Sequence, residues 1–512
     1  MQTMIAKPKI FLIFFVLLLG GCGGTTTQMP LSTDVPETTT QETVETEPTL
    51  AAPETDSDQE LPVETAVPPT PSPTGTTGET VVSEVVAGGR SIGDPYAPEL
   101  GNTGYDVQRY TIQMSLDPEQ KYFLDGKVLI EAMAAEDNLG ELSLDFIGFE
   151  IEELLVNGQT ADYRREADKL IITLPEPLAS EELFQISVSY QGQTVQELSP
   201  YVIFASWLGV FYAEESIYIL SEPDGSRYWF PNNDHPRDKA SYRFEVTVPE
   251  GLTAVANGEL IEVQGNTFIW EHNHPMASYL ATIAVGEYER LEEQSPAGVS
   301  LRHYSFPFRQ SMLNQTVADV GEAIDWMGDL FGTYPYEEFG YVTVHAPGVS
   351  LEAQTMVLLS TEMMNEHTAV HELVHMWFGD WVSLDSWGEM WRNEGFGEYI
   401  SFLWEFRDDP EGLELFMEGV RASLEDSGDL GKPLRNPPPA QLFSPYTYFG
   451  GALMVHELRQ EMGDEAFFTG LKNYFAQYGG GTASDEEFIA VMEEAAGKSL
   501  ADFFAEWLEG SN

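Results

Sequence analysis

The sequence predicts an α+β protein in which an N-terminal all-β domain precedes a mainly helical domain. Three observations carry this expectation: period-two hydrophobicity in the first half, a longer period in the second, and paired helix signals near the end. From Arg109 onward, Tyr110, Ile112, Met114 and Leu116 alternate with Thr111, Gln113 and Ser115. Alternation of this kind marks strands with one buried face. Similar runs recur at 127–133, 142–146, 170–174, 184–190 and 242–248, with turn residues between them. The β region extends to about Leu291, and Ser295-Pro296-Ala297-Gly298 reads as a loop after it. Beyond Leu301 the period becomes helical, with one strand expected at 341–345. Ser484 and Glu487 form a capping box, after which Phe488, Val491, Met492 and Ala495 share a helix face until Gly497 ends it.

The ends of the first ninety residues read differently. Lys7 and Lys9 precede an apolar run at 11–19, followed by Gly20-Gly21-Cys22-Gly23. That run is shorter than the roughly 20 residues a membrane span needs, and the layout is that of a secretory signal peptide. Leu19-Gly20-Gly21-Cys22 also resembles a bacterial lipoprotein signal, which implies cleavage before Cys22 and lipid on that cysteine. An ordinary signal peptide with a cysteine nearby is the alternative. The lipoprotein reading places the chain outside the cytoplasm, on the bacterial cell surface or the periplasmic face, joined to the membrane only through that lipid. Residues 23–92 are rich in Thr, Pro and Glu, carry eleven acidic residues and no basic one between Gly23 and Thr80, and lack aromatics. Such a composition cannot offset its ordering entropy and is expected to form a disordered, self-repelling tether. The expected organisation is thus a signal at 1–22, a tether at 23–92, a β domain at 93–294 and a mainly helical domain at 295–512.

Composition excludes several functions. Asp plus Glu number 84 against 24 Lys plus Arg, a net charge of −60, so the chain lacks the basic surface that nucleic acid requires. With one cysteine there is no intrachain disulfide and no cysteine-based zinc knuckle. Any metal must be held by His and carboxylates. His371-Glu372-Leu373-Val374-His375 offers that chemistry. Two imidazoles four residues apart lie on one side of a helix and can reach a single ion, while Glu372, about 100° around the axis, flanks a metal-bound water without being a ligand. Thr361 to Phe378 contains no Pro or Gly, and Gly379-Asp380 stops the expected helix. A catalytic zinc needs a third protein ligand and an open position. Glu394, nineteen residues after His375, supplies it from a second helix that Ser386 and Glu389 are expected to start with a capping box.

His-Glu-x-x-His, eighteen intervening residues and then Asn393-Glu394-Gly395-Phe396 resembles the zinc signature of the gluzincin aminopeptidases of the aminopeptidase N type. The resemblance runs from about Tyr96 to Leu508 and includes Phe230-Pro231-Asn232-Asn233-Asp234-His235-Pro236, Val255-Ala256-Asn257-Gly258-Glu259-Leu260 and the block at 279–286. It implies a saddle-like β domain followed by a thermolysin-like zinc peptidase domain, one zinc per chain, and peptide substrates with a free N-terminus. It further implies that Glu372 is the general base. Glu352, in Gly348-Val349-Ser350-Leu351-Glu352-Ala353, matches the first amine anchor, although Leu351 and Ala353 depart from the Gly-x-Met-Glu-Asn pattern and one residue is extra. Glu222, five residues before Arg227, matches the second anchor. Tyr448, in Tyr448-Phe449-Gly450-Gly451-Ala452, matches the oxyanion-stabilising tyrosine, with Tyr446 two residues away. Glu398 could orient a ligand histidine from behind or lie on the polar surface; His367 has no motif support. The departures at 351 and 353 leave a zinc endopeptidase as a rival, and a non-catalytic surface binding protein as a remoter one. Larger family members continue into a helical domain roofing the site, whereas this sequence stops near where that domain would begin, so the cleft is expected to be more open.

Overall fold

A computed structural model of the protein describes residues 85–203, 205 and 207–510. The expected signal with Cys22 and most of the expected tether lie outside the described residues. Sheet structure begins inside the stretch expected as tether, because Val86–Ala87 pairs in parallel with Leu139–Asp145. The local reasons are two valines, which favour extended backbone, and Gly88, where a Cβ would lie 2.4 Å from the Thr103 carbonyl oxygen.

The first half is built of sheets. Tyr105–Ser115, whose buried and exposed residues alternate as its sequence predicts, lies within an eight-stranded sheet. It pairs in parallel with Ala240–Thr247 and antiparallel with Phe123–Ala134. Leu183–Gln193, Glu150–Val156 and Gln159–Thr160 extend one side, and Thr267–Met276 and Glu259–Gln264 the other. Two four-stranded sheets complete this half, one of them ordered Gly209–Ala213, Ser216–Leu220, Ile283–Gly286 and Thr253–Ala256. Their apolar faces enclose a core around Trp229, Phe230, Tyr110 and Tyr242, where Tyr110 stacks on Tyr242 and meets Phe230 edge-on.

The passage between the halves is a hairpin. Glu289–Gln294 pairs antiparallel with Ser300–Ser305 over six residues, so Ser295 to Gly298, read from sequence as an interdomain loop, is the turn of that hairpin. In-register pairing on both sides draws the strand at 289–294 into the next sheet, with Tyr341–Val344 and Val357–Ser360 in parallel beyond. The expected boundary at 294 therefore falls inside one supersecondary unit.

Nine α-helices follow among the described residues: α1 (Gln310–Thr316), α2 (Val320–Phe331), α3 (Glu366–Val374), α4 (Trp391–Glu405), α5 (Pro410–Ser427), α6 (Gly451–Met462), α7 (Asp464–Tyr478), α8 (Asp485–Ala496) and α9 (Ala501–Glu509). The capping box at Ser484 and Glu487 forms, and Gly497, at φ +63°, ends α8. A second core, with Trp377, Phe378, Trp391, Phe396, Phe475 and Phe488, fills the space between these helices. No helix among the described residues is long and apolar enough to cross a membrane. The two halves are joined by polar contacts: the buried Asp94 accepts from His235 Nε2 (3.2 Å), Ser386 Oγ (2.6 Å) and Trp387 N (3.0 Å), and the half-buried Arg237 donates to Asp385 Oδ2 (2.8 Å).

Candidate active site

Local capping sets the first two residues of the expected ligand set. The Asn365 side chain accepts from Thr368 N and starts α3, so the helix is shorter than the 361–378 stretch that sequence allows. Before it, Thr361 N still bonds to Val344 O at the sheet edge. After Val374 the backbone tightens, with Met376 N to Leu373 O and Trp377 N to Val374 O. His371 and His375 nevertheless face the same way, with Nε2 atoms 3.1 Å apart. His375 Nδ1 donates to Phe378 O (3.1 Å), which leaves the Nε2 lone pair free. Glu394 Oε2 lies 3.3 Å from His371 Nε2 and 3.8 Å from His375 Nε2. Donors bound tetrahedrally at about 2.0–2.2 Å stand roughly 3.3–3.6 Å apart, so the spacing of the three atoms suits one ion. Lone pairs and a carboxylate oxygen converging this closely suit a cation among them.

Glu394 arrives by a different route from the one its sequence predicts. Ser386 caps a short 3₁₀ turn at Trp387–Glu389, and α4 begins only at Trp391. Glu389 does not return to Ser386: its carboxylate accepts from Arg392 Nη2 and from Asp485 N, because the buried Arg392 needs counter-charges. Gly395, the next residue of α4, meets Gly451 so closely that a Cβ would lie 2.7 Å from the Gly451 backbone. This contact brings the π-helical turn Tyr446–Gly450 against α4. Tyr448 then lies with its ring 6.0 Å from that of His371 and its hydroxyl at the Glu394 carboxylate. Tyr446 is engaged elsewhere, donating to Lys432 O (2.7 Å).

A second set of carboxylates adjoins the first. Glu222, just beyond Ser216–Leu220, and Glu352 each place an oxygen within 4.8 Å of one another and of Glu394. Leu351, bridged to Leu358, holds Glu352 in place, while Leu351 and Ala353 themselves are buried in the core. The side chains that depart from the family pattern therefore pack inward. Glu372 joins this cluster. Burial first, and then the charges of Glu352, Glu394 and Glu398, hold its carboxyl well above the ordinary range. Glu222 is raised likewise, by burial and then by Glu352, Glu394, Glu372 and Asp380. One oxygen each of Glu222 and Glu352 is buried with no hydrogen-bond partner. So many buried acids around one point suit a site whose occupants bring positive charge.

The chain matches the peptidase family M1 domain over residues 327–507 and the peptidase M1 N-terminal domain over residues 106–280. It belongs to the M1 peptidase family. Aminopeptidase N of Streptomyces lividans is 24% identical over 447 residues, 79% of this chain and 50% of that protein. A probable aminopeptidase 1 of Sulfurisphaera tokodaii is 23% identical over 79% of this chain and 53% of its own length. The chain thus spans about half the length of these relatives. Among solved structures, an M1 zinc metallopeptidase from Deinococcus radiodurans superposes with a TM-score of 0.76 at 28% identity, over 82% of this chain and 97% of that one. A mutant of that enzyme, at a TM-score of 0.74, was solved with a Tyr-Ser-Ala substrate.

Within this M1 fold, sequence reasoning missed one part of the site and left another open between two readings. Asp380, read only as a helix stop, is fully buried with neither carboxylate oxygen hydrogen-bonded. Burial, then Glu352 and Glu372, raise it, and Lys239 partly offsets them. Lys239 Nζ donates to the Asp380 and Trp381 carbonyls (2.9 and 3.2 Å), and burial pushes the amine down to about 7 against the pull of Asp380. A charged residue immediately after a Gly stop gave no signal of burial. The part left open, between support for a ligand histidine and polar surface, is Glu398. It is 9% exposed and no surface group, with Oε1 3.8 Å from His371 Nδ1 and Oε2 3.1 Å from His367 Nε2. Its spacing four residues beyond Glu394 was the available clue.

Proposed function

We propose that the chain is a zinc-dependent aminopeptidase that hydrolyses the N-terminal residue from peptides. One observation carries this reading: the carboxylates of Glu222 and Glu352 adjoin Glu394, a member of the metal-ligand set, within 4.8 Å. A place for an α-ammonium therefore lies beside the place for the ion, which brings the first peptide carbonyl into register. The aminopeptidase names of the relatives from Streptomyces and Sulfurisphaera support the reading.

His371, His375 and Glu394 would hold one zinc ion. When bound, zinc acidifies a water molecule and polarises the peptide carbonyl. Glu372 takes the proton of the attacking water and passes it to the leaving amine. The Tyr448 hydroxyl donates to the carbonyl oxygen as negative charge develops on it. Glu222 and Glu352 accept hydrogen bonds from the substrate ammonium. We further propose that lipid on Cys22 anchors the chain outside the cytoplasm. Metabolic labelling with a tagged fatty acid is then expected to mark the wild-type chain and not Cys22→Ser, and absence of label from the wild type would remove the proposal.

The test of the activity is hydrolysis of free and N-acetylated peptides by the zinc-loaded chain, with Glu372→Gln alongside. Stepwise release of single residues from free peptides, abolished by acetylation and by Glu372→Gln, is the expected result. Equal cleavage of blocked peptides would make the enzyme an endopeptidase and strip Glu222 and Glu352 of their roles. No cleavage despite bound zinc would favour a binding protein.

A further inference from the structure

Helix α3 carries a third imidazole that the proposed reaction does not use. His367, His371 and His375 follow one another at steps of four residues and so form one ridge of the helix and its C-terminal turn. Facing them, α4 carries Glu394, Glu398 and Glu405. His375 and His371 lie against Glu394 Oε2. His371 Nδ1 lies 3.8 Å from Glu398 Oε1, His367 Nε2 3.1 Å from Glu398 Oε2, and His367 Nδ1 2.9 Å from Glu405 Oε1. The partners run in opposite order along the two helices, so imidazoles and carboxylates interleave across an antiparallel pair.

Both ring nitrogens of His367 face carboxylate oxygens at hydrogen-bond distance. A neutral imidazole has one N–H, so two such bonds require the imidazolium form. Burial alone would lower the pKa of His367, but the charges and hydrogen bonds of Glu398 and Glu405 raise it to about 10. The ring also stacks on Phe402, with centroids 5.0 Å apart. The His367 cation is therefore fixed on three sides. Glu398 has no Lys or Arg partner among the ion pairs of the described residues; its counter-charges are histidines. With Oε2 anchored by His367, its other oxygen is turned toward His371 Nδ1, a buried nitrogen without a hydrogen-bond partner, and stands 3.8 Å from it, just beyond hydrogen-bond reach.

We infer that His367, backed by Glu405, is a positioning residue that holds Glu398 behind His371, so that His371 Nε2 is aimed at the point shared with His375 and Glu394. The inference rests on the metal site proposed above. A ligand imidazole whose far nitrogen is held by a carboxylate keeps its ring orientation and donor strength, and the outer group then tunes metal affinity. His367 acts one step further out, by fixing the carboxylate.

The experiment is zinc affinity of the full chain, measured by competition with a chromogenic chelator, for wild type, His367→Phe, His367→Arg and His371→Ala. His367→Phe keeps a ring on Phe402 but removes both donors, and it is expected to weaken zinc binding by about tenfold. His367→Arg returns a cation with several donors and is expected to recover affinity to within about threefold of wild type. Wild-type affinity in His367→Phe overturns the inference, and so does a lower melting temperature of the zinc-free chain with unchanged affinity, which would make His367 merely structural. If circular dichroism shows His367→Phe unfolded, Glu405→Gln takes its place; affinity weakened by about threefold supports the inference and unchanged affinity overturns it. A wild-type chain that holds zinc no better than His371→Ala would instead defeat the metal site itself, and this inference with it.

Discussion

At the scale of single residues, two tyrosines two positions apart make opposite demands on the chain. Tyr448 turns its hydroxyl to Glu394, whereas Tyr446 spends its own on Lys432 O. In the proposed mechanism the Tyr448 hydroxyl also donates to the developing oxyanion, so Tyr448→Phe is expected to lower kcat by about 10²- to 10³-fold with KM little changed. Tyr446→Phe is expected to leave kcat alone and cost about 1 kcal/mol of stability, the worth of one hydrogen bond. Steady-state kinetics and urea unfolding of both variants separate the two. In the β half, Asp238 makes a pH prediction. It accepts from Val107 N (3.2 Å) and from Asn233 Nδ2. Burial pushes its carboxyl from 3.8 up to about 8, the Asn233 bond opposing and Asp106 assisting. A carboxyl that binds its proton more tightly when folded stabilises the fold fully below its unfolded pKa, and that contribution is lost as pH rises through the folded value. The stability of Asp238→Asn relative to wild type is thus expected to improve steadily from pH 4 to pH 8 in urea titrations. A difference independent of pH would mean that Asp238 ionises normally in the fold.

Among the elements, α3, α4 and α6 determine whether the site exists. Helix α4 delivers Glu394 and Glu398 to α3 on one side, and Gly395 lets the Tyr446–Gly450 turn and α6 close on the other. A Cβ at 395 would meet backbone rather than a side chain that can turn away, at 2.7 Å from Gly451. Gly395→Ala is accordingly expected to force the helices apart, lowering stability by about 1–3 kcal/mol and moving Tyr448 off Glu394, so that kcat falls more than zinc affinity does. Loss of zinc affinity alone would show that α4 moved against α3 instead. The sequence already contained the necessary glycine within Asn393-Glu394-Gly395-Phe396, and the spacing of His371, His375 and Glu394 was enough to pick out three side chains that the fold brings together. Capping competition was not legible: Glu389 has the spacing of a capping box, yet a buried Arg392 nearby claims it. Nor was the length of α3, since the absence of Pro and Gly from 361–378 says where a helix can run, not that Asn365 will start it.

For the whole molecule, alternation along strands foretold the β half and helix periodicity the α half, but the join between them depends on long-range pairs that no local pattern announces. Glu289–Gln294 looks like the last strand of the first half and pairs into the sheet of the second. Asp94 lies within the last eight residues before Asn102, in a stretch of Gly, Pro and Ala, yet it is fully buried between the halves. Burial would raise its carboxyl, but hydrogen bonds from His235, Ser386 and the backbone of Tyr96 and Trp387 win and lower it to about 2. It therefore stabilises the fold at neutral pH, and the contribution is lost as pH falls from 3.8 through about 2. Because its partners belong to both halves, Asp94→Ala removes the acceptor of Ser386 Oγ and Trp387 N before α4 and that of His235 in the β half at once. The expected cost is about 3 kcal/mol at pH 7, the penalty for breaking a buried charged hydrogen-bond set, and it should narrow below pH 4. Wild type is expected to unfold in a single urea transition, with the same midpoint by far-ultraviolet circular dichroism and by tryptophan fluorescence. Two separated midpoints in wild type, or an Asp94→Ala variant as stable as wild type, would mean that the halves hold together without this carboxylate.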